Sequence, residues 1–237
     1  MLTGRRPLRV AVLTSRRAPG LSELLAERGG LFEIVCVLAT EEAFFDARLE
    51  AADVPVVPNL IRRFYSWRHV GLSDLVARHS YDRRTVRLLA PYGPDLLLMS
   101  SYLYIATEPL LAAYPGRIIN VHGSDLARRG PDGRPLYPGL RAVRDAIAAG
   151  ETETRATSHL VTADLDAGPI LRRSRPFPVS PLAARLRAAG ADHALNAYAF
   201  AHQEWMLATA WGPLLLDAAA CFAAGSQRAG AAAEAVS

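Results

Sequence analysis

Apolar residues fall in short runs that alternate with stretches of helical periodicity. Strands are predicted at 9–14, 32–38, 116–120, 156–162 and 169–175, with a weaker one at 54–57. The continuous apolar run at 95–99 predicts a fully buried strand. Helices are predicted between them at 21–28, 72–92, 108–113 and 140–149. This alternation predicts an α/β fold with a doubly wound, mostly parallel twisted sheet of Rossmann-like type.

Segment 176–181 is rich in proline, and the region after it has a helical pattern. We therefore predict a catalytic domain over 1–178, a helical extension over 179–224 and a flexible tail over 225–237. The longest apolar stretch is interrupted by Gly212, Pro213 and Asp217, and we expect it not to span a bilayer. No apolar signal region opens the sequence, so we expect a cytoplasmic protein without a membrane partner.

Composition excludes several kinds of chemistry. All 27 basic residues are arginine, so neither a Schiff-base lysine nor a lysine-dependent phosphate loop is available. The net charge is only +4 and the arginines are scattered, which is not the basic stripe of a nucleic-acid-binding protein. Cys36 and Cys221 lie in apolar runs without metal-pair spacing, and we predict buried free thiols.

Doubly wound proteins bind ligands beyond the carboxyl ends of their strands. Asn120 and His122 close one predicted strand and lie on the same face of it, on either side of Val121. A carboxamide can donate to a developing oxyanion while an imidazole moves a proton. A purely structural pair would explain the two residues equally well.

A carboxylate in the later loop 162–169 extends this hypothesis. Asp166 lies between two predicted strands, where it could orient the imidazole and hold it protonated. Asp164 and Asp166 also fit the alternative of ordinary turn residues. A metal site formed by His122, His159 and Asp166 is a further alternative, but these residues lack a ligand spacing, and we expect no metal.

The first loop, 15–20, opens a helix where many doubly wound proteins hold phosphate. It contains one glycine, and Pro19 removes a backbone donor, which argues against a nicotinamide dinucleotide. Arg16 and Arg17, with Gly20 at the turn, are candidates to hold an anionic part of a substrate. A solvated turn is the alternative.

Three ordered blocks carry a family resemblance: Pro-Gly-Arg-Ile-Ile-Asn-Val-His at 115–122, Tyr-Pro-Gly-Leu at 137–140 and the run 157–169. Together with segments 81–83 and 92–102, they resemble the glycinamide ribonucleotide formyltransferase family. The resemblance covers about 9–177 and fades in the helical C-terminus.

The resemblance implies a role for each matching position. Asn120 would stabilise the tetrahedral intermediate, His122 would transfer the proton, and Asp166 would support the charged imidazole and relay protons through water. The folate co-substrate, 10-formyltetrahydrofolate, would be bound by Arg78, Leu103, Tyr104, Ile105, Ala106, Thr162 and Asp164. Asp192 aligns loosely with a glutamate that binds the acceptor amine.

The chain departs from the family pattern on the acceptor side. The glycine-rich phosphate loop is absent, Gly123–Ala127 replaces Pro-Ser-Leu-Leu-Pro, and residues 128–135 are inserted, which we expect to reshape the acceptor pocket. We therefore expect formyl transfer to a small-molecule amine. As the acceptor we favour another amine, such as a natural-product intermediate, over glycinamide ribonucleotide. A formyltetrahydrofolate hydrolase and a non-catalytic folate-binding module are the alternatives, and a homodimer stays open.

Overall fold

A seven-stranded sheet forms the centre of the protein. The computed structural model describes residues 6–42 and 47–234, the side chains of 226–234 excepted. The strands are β1 (Leu8–Thr14), β2 (Phe32–Ala39), β3 (Val56–Pro58), β4 (Leu96–Met99), β5 (Ile118–His122), β6 (Glu153–Thr154), β7 (Thr157–Leu160), β8 (Ile170–Arg173) and β9 (Phe177–Pro178). The order of strands in the sheet is β3-β2-β1-β4-β5-β7-β8.

Helices cover both faces of the sheet. They are α1 (Leu21–Ala26), α2 (Ala47–Ala51), α3 (Ile61–Ser66), α4 (Leu75–Leu89), α5 (Glu108–Ala113), α6 (Ala142–Ala149), α7 (Pro181–Ala188) and α8 (Asp192–Glu234), and a 3-10 turn at Ala90–Tyr92 follows α4. Strands β1 to β5 pair in parallel, whereas β7 and β8 are antiparallel. The predicted doubly wound, mostly parallel fold is thereby confirmed.

Side-chain alternation along the central strands divides the core into two layers. Val10, Leu98 and Val121 pack with α1, α6 and α8 on one face. Leu13 and Met99 pack on the other face, with Leu89 of α4 and Leu110 of α5 among the residues of that layer. The central strands are therefore apolar on both sides, as buried parallel strands must be.

The long helix α8 completes the first layer and crosses the sheet. Its apolar window is long and apolar enough to span a membrane by length and composition, but 56% of that window is buried inside the protein. Met206, Trp211 and Leu215 are among the residues it buries against the sheet side of the core. Here α8 acts as a core helix.

A glycine pair brings α8 close to the loop that follows β1. A Cβ atom at Gly20, whose φ is +81°, would lie 2.8 Å from the Cα of Gly212. A Cβ at Gly212 would lie 2.6 Å from the carboxyl carbon of Glu23. Only residues without a side chain permit this approach, so the first loop and α8 are fixed to each other.

Hydrogen bonds tie the loops at the carboxyl end of the sheet together. The Ser100 hydroxyl donates to the Pro19 carbonyl at 2.6 Å, and the Leu103 amide donates to the Ser15 hydroxyl at 3.2 Å. These bonds join the loops after β1 and β4, the two strands at which the strand order reverses. In doubly wound folds this is where ligands bind.

Several elements differ from the sequence-based expectation. Helices α2 and α3 and the small β6–β9 pair are too short for a periodic signal, and Phe177–Pro178 lies in the segment interpreted only as a break. Cys36 is buried, which raises the pKa of its thiol to about 12, but the prediction for Cys221 is wrong: its position on α8 faces solvent.

The C-terminal boundary is also not visible as a helix end. The backbone of α8 stays helical from Asp192 to Glu234, past the predicted start of a tail at 225. Residues 235–237 of that predicted tail lie outside the described part of the chain. The flexibility of the tail and the domain boundaries stay predictions.

Replacing Gly168 by alanine tests how tightly the loop before β8 is packed. The new Cβ would lie 1.9 Å from the Leu160 carbonyl oxygen, so backbone must move. We expect Gly168→Ala to lower the free energy of unfolding by about 1–3 kcal/mol, the usual cost of overpacking. Urea unfolding of both proteins measures it.

Gly225→Ala is the control for this substitution. Gly225 is exposed in α8, and its Cβ would meet nothing within 4 Å. We expect a neutral or slightly stabilising effect, because alanine favours a helix over glycine by about 0.5–1 kcal/mol. Unchanged stability of Gly168→Ala would contradict the close contact.

Candidate active site

A cavity of about 490 Å³ opens at the carboxyl ends of β4 and β5. Its lining comes from both core layers and from the loops that follow the strands. The residues are Met99, Ser101–Ala106, Asn120–Gly123, Gly139, Leu140, Ala142, Val143, His159, Val161–Ala163, Leu165, Asp166, Gln203, Leu207 and Trp211. The three predicted catalytic residues all lie in this lining.

His122 ends β5 and is buried with both ring nitrogens facing oxygen atoms. Its Nδ1 lies 3.5 Å from Oδ2 of Asp166, and its Nε2 lies 3.0 Å from the carbonyl oxygen of Tyr137. A neutral imidazole can donate to only one of these acceptors, whereas an imidazolium donates to both. Each ring nitrogen of His122 therefore faces an acceptor oxygen.

Asp166 is positioned by its own backbone and by the segment that follows the inserted residues. Its φ of +53° is in the left-handed region, which short polar residues tolerate in turns. The Gly139 amide donates to its Oδ2 at 2.8 Å, and the side chain is buried. The carboxylate thus faces the imidazole instead of solvent, as the sequence-based hypothesis required.

His159 is a site residue that the sequence analysis considered only as a metal ligand. It pairs directly with Asn120 across the antiparallel β5–β7 ladder. Its Nδ1 lies 3.0 Å from the Leu160 carbonyl, and its Nε2 lies 3.4 Å from Nδ2 of Asn120 and 3.7 Å from Oδ1 of Asp166. The available signal was its place on a strand next to β5.

The protonation of His159 follows from its burial. The ring is 2% exposed, and desolvation lowers its pKa. In the neutral ring, Nδ1–H donates to the Leu160 carbonyl, which leaves Nε2 as an acceptor for the Asn120 amide. One amide hydrogen is thereby held, and the other is free to point into the cavity.

The predicted folate-binding segment forms one wall of the cavity. Leu103, Tyr104, Ile105 and Ala106 line it after β4, and Thr162 and Leu165 line it from the loop after β7. Leu103, Ile105 and Leu165 are exposed at 39%, 47% and 54%, so their side chains are accessible at the mouth of the cavity. Asp164 is exposed outside the lining, and its carbonyl accepts from the Thr162 hydroxyl at 3.2 Å.

Arg78 lies behind this wall and not on its surface. Its side chain is almost completely buried and donates to Asp82 at 2.8 Å and to the Tyr102 hydroxyl at 2.7 Å. Its guanidinium also lies 5.7 Å from the Tyr104 ring centroid. Its Nε and Nη1 are buried without a hydrogen-bond partner among the described residues, and its role in folate binding stays a prediction.

The predicted acceptor-side residues do not converge on the cavity. Arg17 makes a two-point ion pair with Glu204 at 2.5 and 2.6 Å, Arg16 is exposed, and Gly20 contacts α8. Asp192 begins α8, about 16 Å along the helix axis from Gln203, the first of its cavity-lining residues. None of the four lines the cavity.

The inserted residues 128–135 form a short hairpin beside the site. Arg129 bridges to Pro135, and the Gly130 amide donates to the Arg134 carbonyl at 2.8 Å. An ion pair between Arg128 and Glu151 attaches the hairpin near the end of α6. The hairpin does not line the cavity, but the residues after it supply the Tyr137 carbonyl and Gly139 contacts.

The metal alternative brings its three residues together without forming a ligand set. His122 and His159 face different oxygens of Asp166. Among the described residues, no group of three or more His, Cys, Asp or Glu side chains is arranged to hold a metal ion.

The chain is similar to known proteins in sequence and in fold. The family model described as formyl transferase matches residues 8–183. Phosphoribosylglycinamide formyltransferase from Mycobacterium tuberculosis is 31% identical over 73% of this chain and 72% of its own length. Formyltetrahydrofolate deformylase from Escherichia coli is 30% identical over 71% of this chain and 53% of its own length.

Coverage and structural likeness set the scope of the comparison. The chain spans about half the length of the first curated relatives it matches, at 43% and 53%. Phosphoribosylglycinamide formyltransferase from Coxiella burnetii superposes with a TM-score of 0.59 and 26% identity, over 85% of this chain and 86% of that one. With the family model matched over most of its length, the chain belongs to the formyl transferase family.

Proposed function

We propose that the protein transfers a formyl group from 10-formyltetrahydrofolate to the primary amine of a small molecule. The observation that carries the proposal is the convergence of Asn120, His122 and Asp166 in one cavity with two distinct walls. A binding module would need a cavity but not this set. The names of the relatives support formyl chemistry, and they divide between transferases and deformylases.

The proposed reaction forms one carbon–nitrogen bond and breaks another. The acceptor amine attacks the formyl carbon, and negative charge builds on the formyl oxygen. The intermediate then collapses as the bond to the folate N10 breaks. The amine loses one proton and N10 gains one, so the products are an N-formyl amine and tetrahydrofolate.

The side chains match these changes in charge. The free amide hydrogen of Asn120 would donate to the developing oxyanion, an interaction typically worth roughly 10²–10³ in rate. His122 would carry the proton between the two nitrogens, a contribution of about 10²–10⁴. Asp166 would stabilise the imidazolium while it exists, because its carboxylate lies 3.5 Å from the ring.

The wall after β4 suits a flat co-substrate. A pterin needs apolar contact on its faces and backbone hydrogen bonds at its edge. Leu103, Ile105 and Leu165 offer apolar side chains at the mouth, and the surrounding loop backbone offers donors and acceptors. We therefore assign the folate to this wall, with Ala106 and Thr162 beside it.

Hydrolysis of the same folate is the second candidate, because deformylases are among the relatives. Water would replace the amine, and Asn120 and His122 would have the same tasks. The cavity lining beyond His122, on the side of α8, favours the transferase, since water requires no second wall.

Tetrahydrofolate formation with and without amines tests the proposed function. We expect the protein with 10-formyltetrahydrofolate alone to form little product, and a panel of primary amines to include at least one that raises the rate. Absorbance or chromatography of tetrahydrofolate measures it. Equal rates with and without every amine would instead indicate the hydrolase.

His122→Ala tests the proton carrier. We expect kcat to fall by about 10²–10⁴, because the variant removes the imidazole that faces Asp166 at 3.5 Å. Folate binding, measured by calorimetry, should stay within a few fold. His79→Ala is a control, because His79 lies on α4 and outside the cavity lining. Turnover that survives His122→Ala would contradict the mechanism.

The Asn120–His159 contact makes a separate prediction. His159→Leu removes the acceptor that holds one amide hydrogen of Asn120. We expect kcat to fall by at least about 10-fold, and by no more than the roughly 10²–10³ that the loss of an oxyanion donor costs. His159→Gln keeps an acceptor and should retain more activity. In the background Asn120→Ala, neither change should lower kcat further. Additive losses would show that the contact is not used.

The stability of the protein should depend on pH through His159. Burial lowers the pKa of the folded residue, so the unfolded chain takes up a proton first as the pH falls below about 6.5. This contribution to stability is present at neutral pH and lost toward the folded pKa. We expect wild type to lose more stability than His159→Gln between pH 7 and 5 in urea unfolding. Parallel curves would contradict the assignment.

A further inference from the structure

The cavity has a second wall that the formyl donor does not use. Helices α6 and α8 supply it, on the face of the sheet opposite the segment 103–106. It consists of Ala142 and Val143 from α6, Gln203, Leu207 and Trp211 from α8, and the exposed Leu140. Its atoms are largely apolar, and Gln203 is its one polar side chain apart from the indole nitrogen.

Trp211 is the centre of this wall. Its Cη2 lies 3.9 Å from the place where a Cβ on Gly123 would be, so the ring is next to the residue that follows His122. Trp211 is 5% exposed, and its Nε1 has no hydrogen-bond partner among the described residues. This nitrogen is shielded from the cavity, so the ring offers a ligand an apolar surface and not a donor.

Gln203 lies two helical turns before Trp211 on the same side of α8. It is half-buried in the lining, and within the part of the chain that the structure describes its amide has no hydrogen-bond partner. A carboxamide can donate and accept. It gives the wall one polar group for an uncharged polar atom of a ligand.

Within the described part of the chain, no basic side chain lines this wall to pair with a phosphate. Arg17 is occupied by Glu204, and the start of α1 contacts Gly212 while the Glu23 carboxyl lies beside it. No arginine is among the residues that line the cavity. A phosphate placed here would lose its hydration against apolar side chains without a cation to pair with.

We propose that the acceptor is a primary amine on an uncharged, flat apolar body with one hydrogen-bond acceptor, and not a phosphorylated amine. The body would lie on Trp211 and Leu207 with the amine toward His122. The inference rests on the proposed function: the amine nitrogen gains the formyl carbon, N10 of the folate loses it, and a proton passes from the amine to N10.

Probes with one common arm test this acceptor class. Phenethylamine, tyramine and 2-aminoethyl phosphate all carry a 2-aminoethyl arm. Glycinamide ribonucleotide is a fourth probe, in which a glycyl amine is attached to a phosphorylated ribose. We expect kcat/KM for tetrahydrofolate formation to be at least about 10-fold higher for the two aryl amines than for either phosphorylated amine. Tyramine, whose hydroxyl can pair with the Gln203 carboxamide, should exceed phenethylamine.

Each result of this panel bears on the proposal. Preference for a phosphorylated amine, or no aryl preference, overturns the acceptor class and leaves formyl transfer to an amine standing. Tetrahydrofolate formation that needs no amine overturns the proposed function itself, and the acceptor class with it. Lack of turnover with every probe counts against both.

Variants of the wall separate its polar group from its apolar surface. Gln203→Leu keeps an apolar contact but removes the carboxamide, so we expect only the tyramine preference to disappear. Gly123→Ala places a Cβ 3.0 Å from Val143 Cγ2 and should raise KM for the aryl amines several-fold without changing folate binding. Phe200→Leu, exposed on α8 outside the lining, is the control and should match wild type. A tyramine preference unchanged by Gln203→Leu overturns the role of the carboxamide.

Discussion

The antiparallel pairing of β7 with β5 is the constraint on which the site depends. It places His159 opposite Asn120, and the loop that leaves β7 returns Asp166 to within 3.5 Å of His122. Because β7 runs opposite to β5, its register sets Thr157 beside His122 and His159 beside Asn120. His122 and Asp166 are 44 positions apart in the sequence, yet their side chains lie 3.5 Å from each other.

Periodicity and strand-end logic made the central part of the molecule predictable. Buried strands such as β1 and β4 are long apolar runs, and Asn120 and His122 stand where such a strand ends. The sequence did not show that His159 would accept a hydrogen bond from the Asn120 amide, because strand pairing is a long-range property that no local pattern encodes. The position of α8 was equally hidden, since the glycine contact of Gly20 with Gly212 depends on three-dimensional closeness.

Side chains also changed meaning once their neighbours were known. Arg17 was a candidate to hold an anion because of its residue type. Its guanidinium instead forms an ion pair with Glu204, which is 187 positions later in the sequence. Arg78 matched a folate position, yet it is buried beneath the tyrosines of the cavity wall. In both cases the sequence showed the residue type, but it did not show which side chain would be the partner of the arginine.

The division of the cavity between two stretches of chain has an evolutionary consequence. The groups that would act on the formyl carbon lie between 120 and 166, whereas the α8 part of the opposite wall lies between 203 and 211. Substitutions in α8 can therefore accumulate without disturbing the proton-transfer apparatus, provided that Gly212 keeps the helix seated on the first loop. Related chains could diversify in what they modify by varying one helix, while inheriting the reaction unchanged.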